Sequence, residues 1–520
     1  MRHILFCDQQ VSYKVAILVK DSALKHKEID DHYVAPLEAA GVPRGDILAF
    51  NLKYNAAGKA PAKFQKEYLD TLLAAADSIG VTTLFCADGE YFKTLTKKRK
   101  AEVHYGYVLP CAIKGYEHMN VVLGTNYQVL FYKPEMQERL DMALATVVSH
   151  VAGTHVELGS GIIKSEYYPE GVEAVAEWLK SLHQYPALTC DIETFSLDFW
   201  KAGIGTIGFA WDKGNGGVIR CDWEPYKSPL VEKGELSIMY GYMGDNLQVK
   251  HLLKKFLSTY KGKLTYHNAN FDVKVLIYEL FMDDMLDQQG LLNGLEALTK
   301  NIDDTKIITY LATNSCSGNV LGLKENAHEF AGNYAESDIK DIRLIPLNNL
   351  LRYNLVDCLS TWYVHDKNYP TMVADNQLDI YERIFIPSVK VILQMELTGM
   401  CLDMPKVIEA ESELKQIARR HEQTLATSPI ISAFTDQLQK EEFIKQNLLW
   451  KTKEEPLEYF KYVQFKPGSS PQLQKLFHEQ LGYEVFDFTD TKQPSTGGKT
   501  IAKHVARCTD PDELAVLEAL

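Results

Sequence analysis

The sequence predicts an α/β protein built in three successive parts. Strand-like and helix-like segments alternate through residues 1–155, strand-like runs precede several helices in residues 165–372, and residues 375–520 are mostly helical. Short bounded apolar runs indicate strands, whereas apolar residues at helical spacing indicate amphipathic helices. This order predicts an α/β N-terminal domain, a second domain with a mixed sheet flanked by helices, and a mostly helical C-terminal region.

The first part begins with two apolar runs, HILFCD and DILAFNL, which predict buried strands. The segment FQKEYLDTLLAAADSIG is typical of an amphipathic helix that ends at Gly80. TTLFCAD, YGYVLPCAI and NVVLGTNYQVLFY predict further strands. We find no glycine-rich phosphate loop in this part, and its role is left open. It could be a structural or docking domain, or a fold that handles nucleic acid.

In the second part, ALTCDIET, GIGTIGFAWD and GGVIRCDW predict three strands. The short turn KGNGG between the last two predicts an antiparallel meander. NLQVKHLLKKFLSTY, FDVKVLIYELF and IDDTKIITYLAT predict helices, with one more strand at KLTYHN. PLNNLLRYNLVDCLSTWYVHDKNY predicts one long helix.

The composition is that of an ordinary globular protein with an acidic charge balance. Of 520 residues 46% are hydrophobic, and the formal net charge is −14. This charge disfavours a protein that coats nucleic acid, because such binding needs clustered lysine and arginine. It does not disfavour a nuclease, because carboxylates that hold metal ions add negative charge. The nine cysteines form no Cys-x-x-Cys pair, and no apolar run approaches the length of a membrane span. We therefore expect a cytoplasmic protein with reduced thiols and no membrane partner.

Two acidic residues lie at the end of the apolar run that opens the second domain. Asp191 and Glu193 are separated by one residue, so both side chains point to one face of a strand. Two carboxylates on one face repel each other unless a cation lies between them, and Mg²⁺ prefers such oxygen ligands. Taken alone, the pair could equally be two solvated acids at a strand end.

Two further motifs follow in the same domain. In YHNANFDVKVL, Asn268 follows a strand and Asp272 lies in the first turn of a helix, where it could serve only as a helix-start residue. In YNLVD, Tyr353 and Asp357 are four residues apart and share one face of the long helix. This second pair could equally be a tyrosine and an aspartate on the surface.

Together, the motifs D-x-E, N-x-x-x-D and Y-x-x-x-D resemble the DEDD exonuclease superfamily with the tyrosine-type third motif. The resemblance implies a ribonuclease H-like fold and a 3′→5′ exonuclease that uses two divalent ions, Mg²⁺ or Mn²⁺. Asp191, Glu193 and Asp357 would hold one ion. Asp191 would bridge to the second, which Asp272 would support, and Tyr353 and Glu193 would orient the attacking water. Two such ions stabilise the attacking and leaving oxygens of phosphodiester hydrolysis.

The resemblance covers roughly residues 186–370 and implies residues that contact the substrate. Thr194, Asn268 and Phe271 would contact or shape the 3′-terminal nucleotide. An aromatic ring can stack on a base, although Phe271 could equally be packed in the core. His267 is more typical of a hydrogen-bonded structural histidine.

The third part resembles family A DNA polymerases, which are DNA polymerase I-like. YERIFIPSVKVILQMELTGMCLD is similar to the segment that leads from the proofreading domain into the polymerase domain. FKPGSSPQLQKLF and the later QPST are similar to the thumb region, which implies contact with a primer–template duplex. For any one of the side chains that could touch DNA, a solvated polar residue on the surface is the simpler interpretation. The residues that could touch DNA are Lys466, Ser469, Ser470, Gln493, Ser495 and Thr496.

The palm and fingers motifs of that family, D-x-S-x-x-E-x-R and R-x-x-x-K followed by Y-G, do not occur in the sequence. The run VHDK at 364–367 is similar to the V-H-D-E of the palm, but it precedes the thumb-like region, and we interpret it as coincidence. We therefore expect either a separate palm and fingers polypeptide as a partner or a truncated sequence.

The function predicted is the proofreading exonuclease portion of a family A DNA polymerase used in DNA replication. We expect it to be of phage type, located in the host cytoplasm, and to act on single-stranded 3′ ends of DNA. One alternative is a stand-alone DEDD nuclease that acts on RNA 3′ ends. Another is a non-catalytic module that clamps DNA or docks a polymerase subunit.

Overall fold

A computed structural model of the protein describes residues 1–7, 12–55, 58–226, 240–313, 320–334, 340–449 and 455–520. The chain forms two compact units, Met1–Gly399 and Met400–Leu520. The first unit contains two large sheets with their helices, and the second consists mainly of helices. The domain limits 1–155, 165–372 and 375–520 stay a prediction. Within the described ranges, no helix is both long enough and apolar enough to cross a membrane.

The strands of the described chain lie in the first unit. They are β1 His3–Leu5, β2 Val15–Lys20, β3 Ile47–Leu52, β4 Thr83–Cys86, β5 Val108–Pro110, β6 Asn120–Leu123, β7 Ser165–Tyr167, β8 Ala187–Glu193, β9 Thr206–Ala210, β10 Asn215–Arg220, β11 Trp223–Pro225, β12 Gly241–Met243, β13 Lys263–Tyr266 and β14 Ile302–Asp304.

The helices are numbered in the same way, without the short 3₁₀ and π segments that adjoin some of them. Those of the first unit are α1 His26–Ile29, α2 Ala35–Ala39, α3 Ala62–Ser78, α4 Gly89–Thr96, α5 Tyr127–Leu130, α6 Gln137–Val151, α7 Val172–Leu182, α8 Leu247–Thr259, α9 Ala269–Phe281, α10 Gln288–Leu298, α11 Thr305–Thr313, α12 Leu323–Asn326, α13 His328–Ala331, α14 Leu347–Ala374, α15 Leu378–Ile380 and α16 Ile386–Thr398. Those of the second unit are α17 Met404–Thr427, α18 Pro429–Leu449, α19 Ser470–Gln474, α20 Gly498–Val505 and α21 Pro511–Ala519.

The N-terminal sheet has the strand order β1-β3-β2-β4-β6-β5. Its four central strands are parallel, and β1 and β5 pair antiparallel at the two edges. Strands β2, β3 and β4 are almost entirely buried, as expected for parallel strands covered by helices. The prediction of an α/β N-terminal domain is confirmed.

One strand prediction in this domain was wrong in its second half. NVVLGTNYQVLFY forms β6 only as far as Leu123, and Tyr127–Leu130 is a helix. The side chain of Asn126 accepts a hydrogen bond from the backbone N–H of Gln128 at 3.0 Å and so caps this helix. Such a cap satisfies a donor that has no partner within a helix and fixes the start of the helix locally.

The central sheet has the order β14-β13-β8-β9-β10-β7. Strands β8, β9 and β10 form the predicted antiparallel meander, and β13 and β14 continue the sheet parallel to β8. Helix α14 packs across β8, β9 and β10, and α9 also belongs to the apolar core of this domain. The predicted mixed sheet flanked by helices, which the ribonuclease H-like resemblance implied, is confirmed.

The segment IDDTKIITYLAT was predicted as helix throughout, but Ile302–Asp304 forms the edge strand β14 and the helix begins at Thr305. Ile302 pairs with Leu264 of β13 in parallel register. Pairing with a distant strand overrides local helical spacing here, and short apolar runs leave that choice open in a sequence. The strand also fixes the position of its last residue, Asp304.

The second unit has its own apolar core, formed by residues such as Leu425, Phe434, Phe477 and Val516. The side chain of Gln474 donates a hydrogen bond to the carbonyl of Pro494 at 2.7 Å. This contact joins the two segments that resemble the polymerase thumb. The prediction of a mostly helical C-terminal region is confirmed.

Candidate active site

Strand β8 presents two acidic side chains on one face of the central sheet. Asp191 lies opposite Gly208 and Glu193 lies opposite Thr206 in the antiparallel pair with β9. Ile192, between them, is buried in the apolar core on the other face. The alternation of side chains along a strand therefore directs both carboxylates to the side of the sheet where α14 packs.

Helix α14 brings Asp357 to this face because glycine lets the helix approach closely. A Cβ atom on Gly208 would lie 2.6 Å from Cys358 Sγ and 3.1 Å from Asn354 Oδ1, closer than packed atoms normally come. The hydroxyl of Thr189 on β8 also donates to the carbonyl of Cys358 at 2.8 Å. Strand and helix are thus held at a distance that only a residue without a side chain permits.

The carboxylates of Asp191, Glu193 and Asp357 converge. One oxygen from each lies within 4.8 Å of the other two. Asp272, in the first turn of α9, accepts a hydrogen bond from the backbone N–H of Ile192 at 3.2 Å. It is therefore next to the cluster, although it is not one of the three converging ligands.

The electrostatics of this cluster favour a bound cation. Burial, and then the charges of Asp357 and Asp272, raise the pKa of Asp191 well above its usual value. Burial and the charge of Asp357 raise the pKa of Glu193 to about 8. Ionised carboxylates this close repel each other, and a divalent cation would relieve both the repulsion and the cost of burial. The donor set, three hard oxygens, fits Mg²⁺ or Mn²⁺.

Asn354, three residues before Asp357 on α14, positions one of the converging carboxylates. Its side-chain amide donates to Asp191 Oδ2 at 2.6 Å, and its Oδ1 accepts from the hydroxyl of Thr206 at 3.3 Å. Asn354 is fully buried, so both contacts fix its orientation. A neutral donor of this kind orients a carboxylate without competing for the cation.

Two tyrosines and a lysine complete the surroundings of Asp357. Tyr334 donates its hydroxyl hydrogen to Asp357 Oδ1. Lys324 contacts the hydroxyl of Tyr353, and its Nζ lies 4.6 Å from the centroid of the Tyr353 ring. The two tyrosine rings lie 5.7 Å apart. The positive charge of Lys324 lowers the pKa of both Glu193 and Asp357, in opposition to the larger effect of burial.

The start of α9 is held by Asp304 at the end of β14. Its carboxylate accepts from the backbone N–H groups of Asn268 at 3.1 Å and Ala269 at 2.9 Å. Asn268 has a left-handed backbone conformation, with φ of 72°, and its side chain accepts from Lys306 Nζ at 3.2 Å. Asp304 therefore caps the helix that carries Asp272. The sequence alone had allowed Asp272 to be the helix-start residue.

The other residues predicted to contact a nucleotide lie around the cluster. The hydroxyl of Thr194 donates to the carbonyl of Ser196 at 3.0 Å. Phe271 is only partly buried and packs against the apolar core of the domain that contains the central sheet. His267 Nδ1 lies 2.9 Å from the hydroxyl of Thr305, and burial lowers the pKa of His267 to about 4. His267 is therefore a neutral, hydrogen-bonded histidine, and the roles of Thr194 and Phe271 stay predictions.

The predicted DNA contacts of the thumb-like region lie in the second unit. Lys466, Ser470 and Gln493 are exposed, and the others are partly buried. The backbone N–H of Ser495 donates to the carbonyl of Asp487 at 2.8 Å, and its hydroxyl accepts from that of Thr500 at 3.0 Å. Contact with DNA by Lys466, Ser469, Ser470, Gln493, Ser495 and Thr496 stays a prediction.

Three residues close to the converging carboxylates were not predicted from the sequence. A sequence pattern could have indicated only one of them. Asn354 lies three positions before Asp357, so helical spacing alone places both on one face of α14. Lys324 and Tyr334 come from a stretch of short helices and turns without a motif. Their approach to Asp357 depends on tertiary packing, which no local pattern records.

Substitution of Gly208 by alanine tests the close approach of β9 and α14. The added Cβ overlaps Cys358 and Asn354, so we expect the free energy of unfolding to fall by about 1–3 kcal/mol. We also expect a smaller rise of the melting temperature on addition of Mg²⁺, since Asp357 would move away from Asp191. Urea denaturation and thermal melts with Mg²⁺ or EDTA measure both. Gly498→Ala is the matched control, because nothing lies within 4 Å of its added Cβ. Equal behaviour of the two variants would contradict the prediction.

Comparison with known sequences gives one informative relative. No protein-family model matches the sequence. The chain is similar to a curated DNA polymerase of Bacillus phage SP01, with 25% identity over 270 residues. The match covers 48% of this chain and 28% of the phage protein, so the chain spans less than a third of the length of that relative.

Solved structures with detectable similarity include the POL domain of Pol1 from M. smegmatis in complex with DNA primer–template and dNTP. It has 14% identity and a TM-score of 0.38, and the match covers 68% of this chain and 47% of that one. RNase D of Escherichia coli, an exoribonuclease involved in structured RNA processing, has 14% identity and a TM-score of 0.30 over 68% of this chain and 74% of that one. Scores this low carry no argument about function. The chain is thus similar in sequence to a phage DNA polymerase, and this relative confirms the resemblance to DNA polymerases that the motifs predicted.

Proposed function

We propose that this chain is a metal-dependent 3′→5′ exonuclease that removes nucleotides from DNA ends as the proofreading portion of a family A DNA polymerase. The observation that carries the proposal is the convergence of two partly buried carboxylates, Asp191 and Glu193, with the buried Asp357, and with the buried Asp272 beside them. An acidic cluster of this kind is costly to a fold that does not use it, because like charges are buried together. Hydrolysis of a phosphodiester is the chemistry that such a centre suits.

Two divalent ions, Mg²⁺ or Mn²⁺, belong to the proposal. Asp191, Glu193 and Asp357 would hold one ion, and Asp191 and Asp272 would hold the second. When bound, the ions lower the pKa of water and stabilise the charge on the attacking and leaving oxygens.

The side chains around the ligands have distinct roles in the proposal. Glu193 would accept a hydrogen bond from the attacking water, and the hydroxyl of Tyr353 would orient that water from the other side. Asn354 and Tyr334 hydrogen-bond to Asp191 and Asp357, which fixes the direction of the oxygens that face the ions. Lys324 supplies positive charge beside Tyr353 and would offset the charge of the phosphate.

The substrate side of the proposal includes both units. Thr194, Asn268 and Phe271 would contact the 3′-terminal nucleotide, and the joined thumb-like segments would contact primer–template duplex. The bond between Gln474 and Pro494 supports the second point, because it brings the two segments to one surface. Polymerisation would require palm and fingers parts in addition to this exonuclease centre. A phage origin and a location in the host cytoplasm belong to the same proposal.

One experiment tests the function. The full chain is incubated with 5′-labelled single-stranded DNA or RNA, with Mg²⁺ or with EDTA, and compared with Asp191→Ala. We expect stepwise shortening of DNA from its 3′ end, dependent on Mg²⁺ and lost in the variant. Asp366→Ala is the matched control, because Asp366 is an exposed acid outside the cluster. Preference for RNA would indicate the RNA-processing alternative, and tight binding without cleavage would indicate a clamping module.

A further inference from the structure

A run of four basic residues, Lys97, Lys98, Arg99 and Lys100, interrupts an otherwise acidic chain. It follows α4 directly, and Lys97 ends that helix with a left-handed backbone, φ 55°. Lys97, Arg99 and Lys100 are exposed, and within the described ranges no carboxylate forms an ion pair with any of the three. Exposed positive charges this close together in the chain attract a polyanion, even on a protein whose net charge is negative.

The basic run borders a cavity of about 330 Å³ between the N-terminal domain and the domain that contains the central sheet. The lining includes Lys98, His104 and Tyr107 from one side, and Asn333 and Tyr334 from the other. This volume lies in the range of pockets that hold small organic ligands. The polar and aromatic side chains of this lining can contact a nucleotide, and the lining also contains apolar Leu109 and Leu158 and the carboxylate of Glu157.

The cavity reaches the candidate active site through one residue. Tyr334 lines the cavity and donates its hydroxyl hydrogen to Asp357, one of the three converging carboxylates. The side chain of Tyr334 therefore lies between the cavity and Asp357, so the cavity and the candidate active site are neighbours.

Several contacts join residues 328–333 to the N-terminal domain beside the cavity. His328 Nε2 lies 2.7 Å from the carbonyl of Tyr105, and the backbone N–H of Asn333 donates to the hydroxyl of Tyr107. Gly332 has a φ of 63°, and a side chain there would overlap the backbone of Leu158. These contacts hold the residues on the two sides of the cavity next to each other.

We propose that the basic run 97–100 and this cavity form a binding site for the sugar–phosphate backbone of a single nucleic-acid strand. The site would hold the nucleotides that precede the 3′ end, so the N-terminal domain would guide the substrate strand into the nuclease centre. This inference rests on the proposed function for the direction of the strand. The binding itself depends only on the basic residues and the cavity.

Binding is tested without cleavage, by fluorescence anisotropy of a labelled 20-nucleotide oligothymidylate with the full chain in EDTA. In the variant Lys97→Gln/Arg99→Gln/Lys100→Gln we expect Kd to rise about tenfold or more. The slope of log Kd against log salt should fall by about 2, because each phosphate contact of a single strand contributes about 0.7. The matched control is Lys25→Gln/Lys27→Gln/Lys63→Gln, which removes three exposed lysines of the same domain that do not line the cavity. An equal effect of both triple variants, or no effect of the first, would overturn the proposal.

Cleavage distinguishes guidance of the strand from a general effect on the centre. The dinucleotide pdTpdT carries only the phosphates that the carboxylate centre itself would bind, whereas the 20-nucleotide strand has further phosphates for the basic run. We expect kcat/KM of the first triple variant to fall about tenfold for the long strand and less than about twofold for the dinucleotide. Equal losses on both substrates would refute guidance. If the original chain cleaved neither substrate, the proposed function would be refuted. Weaker binding of the oligothymidylate by the first triple variant would in that case still support the binding site.

Discussion

Replacement of Asp357 by asparagine is expected to lower kcat for Mg²⁺-dependent cleavage of DNA on the order of a thousandfold. Asn354 and Tyr334 hold the surroundings of the centre in place, so the change removes one charge from the cluster and little else. The amide oxygen of asparagine can still accept the hydrogen bond from Tyr334. Single-turnover assays at saturating Mg²⁺ measure the effect. Asp366→Asn, an exposed acid on the same helix, is the control and should stay within about twofold of the original rate.

Melting of the Asp357→Asn variant should show whether the substitution removes a metal ligand or disrupts the fold. In EDTA, the free energy of unfolding should not fall, because burial raises the pKa of Asp357 and opposes its charge, and this effect is larger than the lowering by Lys324 and Tyr334. Mg²⁺ should raise the melting temperature of the original chain, since an ion bound only by the folded state stabilises that state. This rise should be lost in Asp357→Asn. A variant that melts at a clearly lower temperature in EDTA, or that still cleaves with Mg²⁺, would refute the assignment.

The sequence was sufficient to place the acidic residues on their elements. Alternation along β8 directs Asp191 and Glu193 to one face, and the spacing of Tyr353 and Asp357 places both on one face of α14. Such short-range geometry is independent of the rest of the fold. How closely the two elements approach depends on Gly208, whose importance appears only when the helix is seen against the strand.

Local patterns failed where tertiary contacts decide the structure. Ile302–Asp304 has helical spacing but pairs with β13, and Tyr127–Leu130 has a strand-like pattern but starts a helix at a capping asparagine. Lys324 and Tyr334 come from short helical turns, and contacts with the N-terminal domain hold that region in place. Net charge also hides local charge, because a formal net charge of −14 conceals the four adjacent basic residues 97–100.

Two tyrosines beside Asp357 should give different kinetic signatures when each is replaced by phenylalanine. Burial, and then the charge of Asp357, raise the pKa of Tyr334, so its hydroxyl stays protonated and donates to that carboxylate. Tyr334→Phe should therefore raise the Mg²⁺ concentration for half-maximal rate by about 10–100-fold. At saturating Mg²⁺, kcat should recover to within about threefold, because the hydroxyl acts on a ligand and not on the water.

Tyr353→Phe should have the opposite pattern. Its hydroxyl contacts Lys324, and it was predicted to orient the attacking water. We expect kcat at saturating Mg²⁺ to fall on the order of a hundredfold, with little change in the half-maximal Mg²⁺ concentration. Initial rates over a Mg²⁺ titration distinguish the two variants, with Tyr132→Phe, an exposed tyrosine, as the control. If Tyr334→Phe instead lost kcat at every Mg²⁺ concentration and Tyr353→Phe did not, Tyr334 would be the residue that orients the water. The tyrosine of the third motif would then act only through Lys324.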